Sequence, residues 1–177
     1  MDPKLPRSTA ADETGDRRAR PGARRTGLLA QFLPYQLSIA SNAVSAFIAE
    51  RYRKRFGLKI TEWRVIAVLG DTSLSEGGMT QRELTEVTLM DKVAVNRACK
   101  VLEDRGLIAR APNASDGRSH IMILTSEGQC VHQEVLPLAL ETEREILADF
   151  TEEQQHQLGQ MLEQLRWKAE NSGQGAP

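Results

Sequence analysis

The sequence predicts a mainly α-helical fold that carries one small β-hairpin, and three observations support this prediction. Most apolar residues recur at steps of three and four along long stretches, which is the period of an amphipathic helix. Two segments open with Thr followed three residues later by Glu or Gln, the pattern of a helix capping box. Between residues 107 and 124 the apolar period falls to about two, as expected for paired strands.

The composition is typical of a soluble globular protein with one compact domain or two small ones. Of the 177 residues, 40% are hydrophobic and 27% are charged, which excludes a wholly disordered chain. No apolar run approaches the roughly 20 residues of a membrane span, and residues 1–26 lack the apolar core of a signal peptide. We therefore expect a cytoplasmic protein with no membrane partner.

The charges are distributed unevenly along the chain. The net charge of -1 combines +3 in residues 1–26, +3 in residues 27–125 and -7 in residues 126–177. The positive net charge of residues 1–125 and the acidic last third indicate that only residues 1–125 contact a polyanion.

The pattern divides the chain into an arm, one domain and a tail. Residues 1–27 are rich in Arg and lack periodicity, so they predict a flexible arm, and residues 171–177 predict a disordered tail. Between them, residues 28–170 predict a single domain. Its expected parts are a long helix at about 30–56, a central segment at about 60–125 and long helices at about 126–170.

Local signals predict where the helices begin and end. Gly57 ends the first long helix, and Thr61 is expected to cap the second. Thr80, with Glu three residues later, predicts a capping box for a short third helix. Asp91 is expected to cap a fourth helix that ends at Gly106.

The last third of the chain predicts a hairpin followed by two helices. Leu107–Arg110 and His120–Leu124 are strand-like, and turn-forming residues separate them. Thr125 opens a helix to about Phe150, which Pro137 must bend or divide because it lacks a backbone donor. A second capping box opens the last helix.

A short helix, a tight turn, a longer helix and a hairpin form the layout of a winged helix-turn-helix. Its recognition helix enters a DNA groove about 12 Å wide, so outward residues near its start must be small or able to hydrogen bond. Val95, Cys99 and Leu102 are expected to face the core of the protein. The positions that then face outward or flank the helix start are Lys92, Val93, Ala94, Asn96 and Arg97.

Four motifs between Ile60 and Gly128 occur together in one known family. They are Thr61-Glu-Trp63, Leu84, Val95-Asn-Arg97 with Leu102-Glu-Asp-Arg-Gly-Leu-Ile108, and Asp116-Gly-Arg118 with Leu124-Thr125-Ser-Glu-Gly128. The segment resembles the MarR-type transcriptional regulators, and with the flanking helices the resemblance spans roughly residues 30–168. Leu89 stands where such proteins commonly have Gly, and Ala94 stands where Ser or Thr is frequent.

The resemblance implies a sequence-specific transcriptional regulator, a repressor in the simplest case, that acts on double-stranded DNA at the nucleoid. It implies a homodimer on a near-palindromic operator, with recognition helices roughly 34–36 Å apart. It also places Arg118 in the minor groove, braced by Asp116 through an ion pair. The expected DNA contacts are Thr80, Gln81, Arg82, Lys92, Ala94, Asn96, Arg97, Asp116 and Arg118.

The resemblance further implies a small-molecule effector, often an aromatic acid or its thioester, held between the dimer helices and the DNA-binding lobe. The matching region combines aromatic rings with guanidinium groups, which suit an aromatic anion. The candidate ligand-binding residues are Tyr35, Phe47, Arg51, Trp63 and Arg64. Core packing or solvation explains each of these residues as well.

Two alternatives remain open on the sequence alone. Oxidation of Cys99 on the inner face of the recognition helix would misalign that helix, so the protein could be a thiol-based redox-sensing regulator. A nonspecific architectural DNA-binding protein is the second alternative. No catalytic motif is present, and Cys130 and His132 point apart on a helix, so we expect no enzyme, no cofactor and no metal site.

Overall fold

The computed structural model describes residues 27–75, 77–113 and 116–172, and it confirms the mainly helical fold with a small β wing. The elements are α1 (Leu28–Gln31), α2 (Leu33–Phe56), α3 (Ile60–Gly70), β1 (Met79–Thr80), α4 (Gln81–Thr88), α5 (Lys92–Asp104), β2 (Ile108–Pro112), β3 (His120–Leu124), α6 (Ser126–Ile146) and α7 (Glu152–Asn171). No helix within these ranges is long and apolar enough to cross a membrane. The predicted arm, up to residue 26, and the end of the predicted tail lie outside the described residues.

The chain divides into two compact units between Ser38 and Ile39. The described part of the first unit is α1 with the start of α2, where the side-chain amide of Gln36 donates to the carbonyl of Ala30. The rest of the described chain, from the continuation of α2 to α7, belongs to the second unit. The single domain predicted for residues 28–170 stays a prediction.

Capping side chains begin four of the helices where the sequence predicts them. The Thr80 hydroxyl accepts a hydrogen bond from the backbone N–H of Glu83 at 3.2 Å, and the Glu83 carboxylate accepts one from the Thr80 N–H at 2.7 Å. The caps of α5, α6 and α7 are Asp91, Thr125 and Thr151. Each cap satisfies an N–H group that has no partner within its helix.

The start of α3 differs from the prediction. Lys59, and not Thr61, is the residue that precedes the helix, which begins at Ile60. The Glu62 carboxylate accepts a hydrogen bond from the Lys59 N–H at 2.9 Å. A carboxylate in the first turn therefore takes the role that the Thr61 hydroxyl was expected to have.

The predicted hairpin forms, and a third strand that was not predicted joins it. β2 and β3 pair antiparallel with Ile108 opposite Leu124, and β1 pairs with the other edge of β3 with Met79 opposite Met122. β1 has only two residues, so it carries no alternating pattern that sequence periodicity could detect. The hairpin and the loop within it, residues 107–125, are called the wing below.

The helix α6 continues through Pro137 to Ile146. Pro137 was expected to bend or divide this helix, and it does not divide it. The helix ends before the predicted Phe150, and a turn leads to the cap of α7.

The core lies where α3, α5 and the wing pack together with the second half of α2 and with α6. Val95, Cys99 and Leu102 face it, as their spacing predicts. The largest fully buried apolar side chains are Tyr52, Leu58, Ile66, Leu84, Leu102, Ile108 and Met122. Each of these contributes roughly 1.5–3 kcal/mol through removal of its surface from water.

Arg105 fastens the end of α5 to the end of α2. Its Nη2 donates to the carbonyl of Phe56 at 2.6 Å, and its Nη1 donates to the carbonyl of Gly57 at 3.4 Å. The same guanidinium lies 3.9 Å from the carboxylate of Glu62, whose side chain is buried. The recognition helix is thus tied to the long helix α2 through one side chain.

We expect the substitution Arg105→Ala to lower the free energy of unfolding by about 2 kcal/mol. It leaves the buried Glu62 carboxylate without its positive neighbour, and a buried charge that loses its partner is costly. Urea denaturation at fixed protein concentration measures the effect. The control is Arg53→Ala, which removes an exposed arginine from α2; equal stabilities for the two variants would contradict the prediction.

Candidate nucleic-acid interface

The outer face of α5 presents to solvent a groove that is lined mainly by residues with charged or polar groups. Lys92, Asn96 and Arg97 are exposed, as the sequence predicts. Together with Val93 and Lys100 they line a surface groove of about 330 Å³. Lys100 was not among the predicted contacts, although it follows Asn96 by four residues and therefore shares its face. Its amino group lies 3.9 Å from the Asp104 carboxylate.

Ala94, another predicted DNA contact, is only partly exposed. It is half-buried and packs against the core. Its N–H donates to the carboxylate of Asp91 at 2.8 Å, so it belongs to the capped first turn of α5. The aliphatic residue that this turn exposes is Val93, which is 58% exposed.

The three predicted contacts at the start of α4 differ in their exposure. Arg82 is exposed, and its Nε lies 3.0 Å from the Glu86 carboxylate. The Thr80 hydroxyl is occupied by the helix cap. Gln81 is half-buried, and its side-chain amide nitrogen has no hydrogen-bond partner among the described residues. Arg82 is therefore the one of the three that is exposed to solvent.

The wing residues are held differently from what the resemblance implies. The Asp116 carboxylate accepts a hydrogen bond from the backbone N–H of Arg118 at 3.1 Å. Within the described ranges it forms no ion pair with the Arg118 guanidinium, so the predicted brace is corrected to a backbone contact. Asp116 shapes the turn, and the Arg118 side chain extends into solvent.

An ion pair that sequence reasoning missed connects the wing to α5. Arg110 on β2 donates from its Nε to both carboxylate oxygens of Glu103, at 3.0 and 3.2 Å. The pair joins residues seven apart across an element boundary, which no periodic pattern reveals. It links β2 of the wing to the recognition helix α5.

Three of the residues predicted to bind an effector, Phe47, Arg51 and Arg64, already have partners in the chain. Arg51 lies over the ring of Phe47, 5.5 Å from its centroid, and pairs with the Glu145 carboxylate. Arg64 donates to the Ser45 hydroxyl at 3.3 Å. An anionic ligand at Arg51 must therefore take the place of the Glu145 carboxylate.

Trp63 and Tyr35 are the other two residues that were predicted to bind an effector. Trp63 is a core residue, with its ring 5.7 Å from the Tyr52 ring and 6.0 Å from the His132 ring. Core packing therefore accounts for its position. Tyr35 is half-buried and belongs to the first compact unit.

A cavity of about 480 Å³ was not predicted from the sequence. The end of α3, the loop after it, β3 and α6 form its walls, which include Ser75, Gln129, His132 and Gln133. The Ser75 hydroxyl is buried and has no hydrogen-bond partner in the described part of the chain. Burial lowers the pKa of His132, and the nearby Asp71 carboxylate opposes this shift.

The two cysteines have different environments. Cys99 is buried, and burial raises the pKa of its thiol to about 11, whereas Cys130 is exposed. A thiol with so high a pKa stays protonated at neutral pH and reacts slowly with oxidants. Among the described residues no group of His, Cys, Asp or Glu side chains could hold a metal ion.

Comparison with known proteins identifies the family. Residues 56–119 match the family model described as "MarR family". The HTH-type transcriptional regulator YwoH of Bacillus subtilis is 33% identical over 98 residues, which are 55% of this chain and 68% of that protein. The chain belongs to the MarR family. MarR-family proteins are transcriptional regulators and not enzymes. This confirms the expectation that the protein is not an enzyme.

Two further MarR-family comparisons agree with this assignment. The homoprotocatechuate degradative operon repressor of Escherichia coli is 27% identical over 112 residues, which are 63% of this chain and 73% of that protein. The crystal structure of a MarR/EmrR family regulator from Acinetobacter sp. ADP1 superposes with a TM-score of 0.69 at 29% identity. It covers 77% of this chain and 94% of that chain.

Proposed function

We propose that this MarR-family protein is a repressor that binds a near-palindromic operator as a homodimer. We further propose that a small aromatic acid or its thioester releases it from the DNA. The observation that carries the DNA-binding part is the exposed face of α5, where Lys92, Asn96 and Arg97 lie together. Asn matches adenine edges, and Arg matches guanine edges or phosphates.

The wing supports a second contact with the DNA. An exposed arginine at the tip of a hairpin is suited to the negative potential of a narrow minor groove. Arg118 has this position, and the Arg110–Glu103 pair holds its hairpin against α5. Arg82 on α4 is suited to a phosphate contact that fixes the register of the protein on the duplex.

The terminal helices support a homodimer. No residue of α7 is buried, and the helix exposes a stripe of large apolar side chains. They are Leu158, Met161, Leu162, Leu165 and Trp167, between 40% and 63% exposed. A contiguous apolar stripe of this kind is typical of an interaction surface. A two-fold partner covers the stripe and sets the spacing of the recognition helices.

The effector proposal rests on the Arg51 region and on the E. coli relative. That relative is named as the repressor of an operon that degrades homoprotocatechuate, which is an aromatic acid. In this chain Phe47 offers a ring face and Arg51 a guanidinium. A carboxylate that displaces Glu145 from Arg51 breaks a contact between α2 and α6. The ligand then shifts the equilibrium by its greater affinity for the separated arrangement.

The two alternatives receive less support. The raised pKa and full burial of Cys99 disfavour a thiol sensor. A nonspecific architectural protein binds random duplex as well as any palindrome, and competition distinguishes it from a repressor.

Selection of bound duplexes from a random pool tests the proposed function. We expect a preferred near-palindrome that resists competition by bulk DNA, with an affinity that falls steeply as salt rises. Aromatic acids and their thioesters are then added to the complex, and at least one is expected to release it. The variant Arg51→Gln should lose this release while it keeps operator binding. If no duplex is preferred, the proposed function is wrong.

A further inference from the structure

Two large aliphatic side chains at the start of the recognition helix are exposed to solvent. Leu89 is 75% exposed and Val93 is 58% exposed, and they lie on either side of the helix cap Asp91. Val93 precedes Asn96 and Arg97 by three and four residues, and it lines the outer groove of α5 with them. The groove therefore combines hydrogen-bonding groups with an apolar edge.

The backbone conformation of Leu89 also disfavours a leucine at this position. Leu89 has φ 52, and it is the only described residue other than Gly with a positive φ. This left-handed conformation is unfavourable for any residue that has a Cβ. Replacement by Gly would relieve the strain of the positive φ. It would remove little buried apolar surface, because most of the Leu89 side chain is exposed. Neither packing nor backbone conformation accounts for a leucine here.

We propose that Leu89 and Val93 contact thymine methyl groups in the major groove and so determine part of the operator sequence. The inference rests on the proposed DNA-binding function and adds two residues to it. The C5-methyl of thymine is the apolar group that base pairs present in the major groove. Val93 lines the groove with Asn96 and Arg97 and gains burial against such a methyl group. Leu89, in the turn before the helix, exposes a second aliphatic side chain for the same kind of contact.

Replacement of thymine by deoxyuridine tests this inference, because it removes the methyl group and keeps the base pair. The full chain and the selected duplex are used, with each thymine of both half-sites replaced in turn. Wild-type binding is expected to weaken about fourfold for each contacted methyl group. At those thymines the variants Val93→Ala and Leu89→Gly should show weaker binding overall and little further loss with deoxyuridine.

Val101→Ala is the matched control, because it makes the same side-chain change at an exposed position two turns further along α5. It should keep the full deoxyuridine sensitivity. The melting temperature of Leu89→Gly should equal or exceed that of the wild type, since the strain is relieved. A lower melting temperature would assign Leu89 to folding and remove it from the inference.

The outcomes separate this inference from the proposed function. If a duplex is preferred but no thymine is sensitive, or if both variants keep the full penalty, the inference is wrong and the proposed function stands. If no duplex is preferred, both are wrong.

Discussion

Arg118→Ala should weaken operator binding by roughly tenfold to a hundredfold, the range for loss of one arginine that contacts DNA. The Arg118 guanidinium has no ion-pair partner in the described part of the chain and extends from the wing into solvent. Its removal costs the fold almost nothing, because its backbone N–H still donates to Asp116. The melting temperature and the dimer population should therefore stay unchanged. Gel-shift titration and thermal unfolding measure the two quantities.

Two variants show whether the loss reflects a local contact. Arg118→Lys keeps the charge and should recover part of the affinity, whereas Arg53→Ala removes an exposed charge far along the sequence from the wing and should leave binding unchanged. Equal affinity for Arg118→Ala and the wild type would mean that the wing does not contact DNA.

Gly128→Ala should lower the free energy of unfolding by about 3 kcal/mol, near the upper end of what overpacking costs. A Cβ at this position would lie 1.9 Å from the carbonyl oxygen of Leu107, so the backbone must shift. The contact cannot relax through a flexible side chain, because the neighbouring atom belongs to the backbone. The Thr125 N–H donates to the same Leu107 carbonyl at 3.1 Å, and this hydrogen bond opposes its displacement. Urea denaturation measures the loss.

Gly159→Ala makes the same change in the interior of α7, where an added Cβ has no neighbour within 4 Å. It should stabilise the protein by roughly 0.5–1 kcal/mol, the difference in helix propensity between Gly and Ala. If both substitutions change stability equally, the contact with Leu107 does not limit position 128.

Features that depend on neighbouring residues were predicted well from the sequence. Thr80, Asp91, Thr125 and Thr151 cap their helices as predicted, because a cap needs only its own side chain and the next few N–H groups. The antiparallel hairpin follows equally from local alternation and turn residues.

Features that depend on distant residues were missed. β1 pairs with a strand about forty residues further along the chain, and Arg105 bonds to carbonyls about fifty residues before it. Ala94 was expected to face outward or to flank the helix start, and its half-burial depends on packing that helical period does not reveal. The partners of Arg51 and Arg64 were hidden for the same reason.

The hydrogen bonds from Arg105 to the carbonyls of Phe56 and Gly57 determine how far the chain can be truncated at its N-terminal side. A truncated chain that starts at Ile60 would retain Glu62 but lose both carbonyls that hold the guanidinium, together with Leu58, which is fully buried. A minimal fragment that keeps α5 and the wing in place must therefore begin within α2, upstream of Phe56.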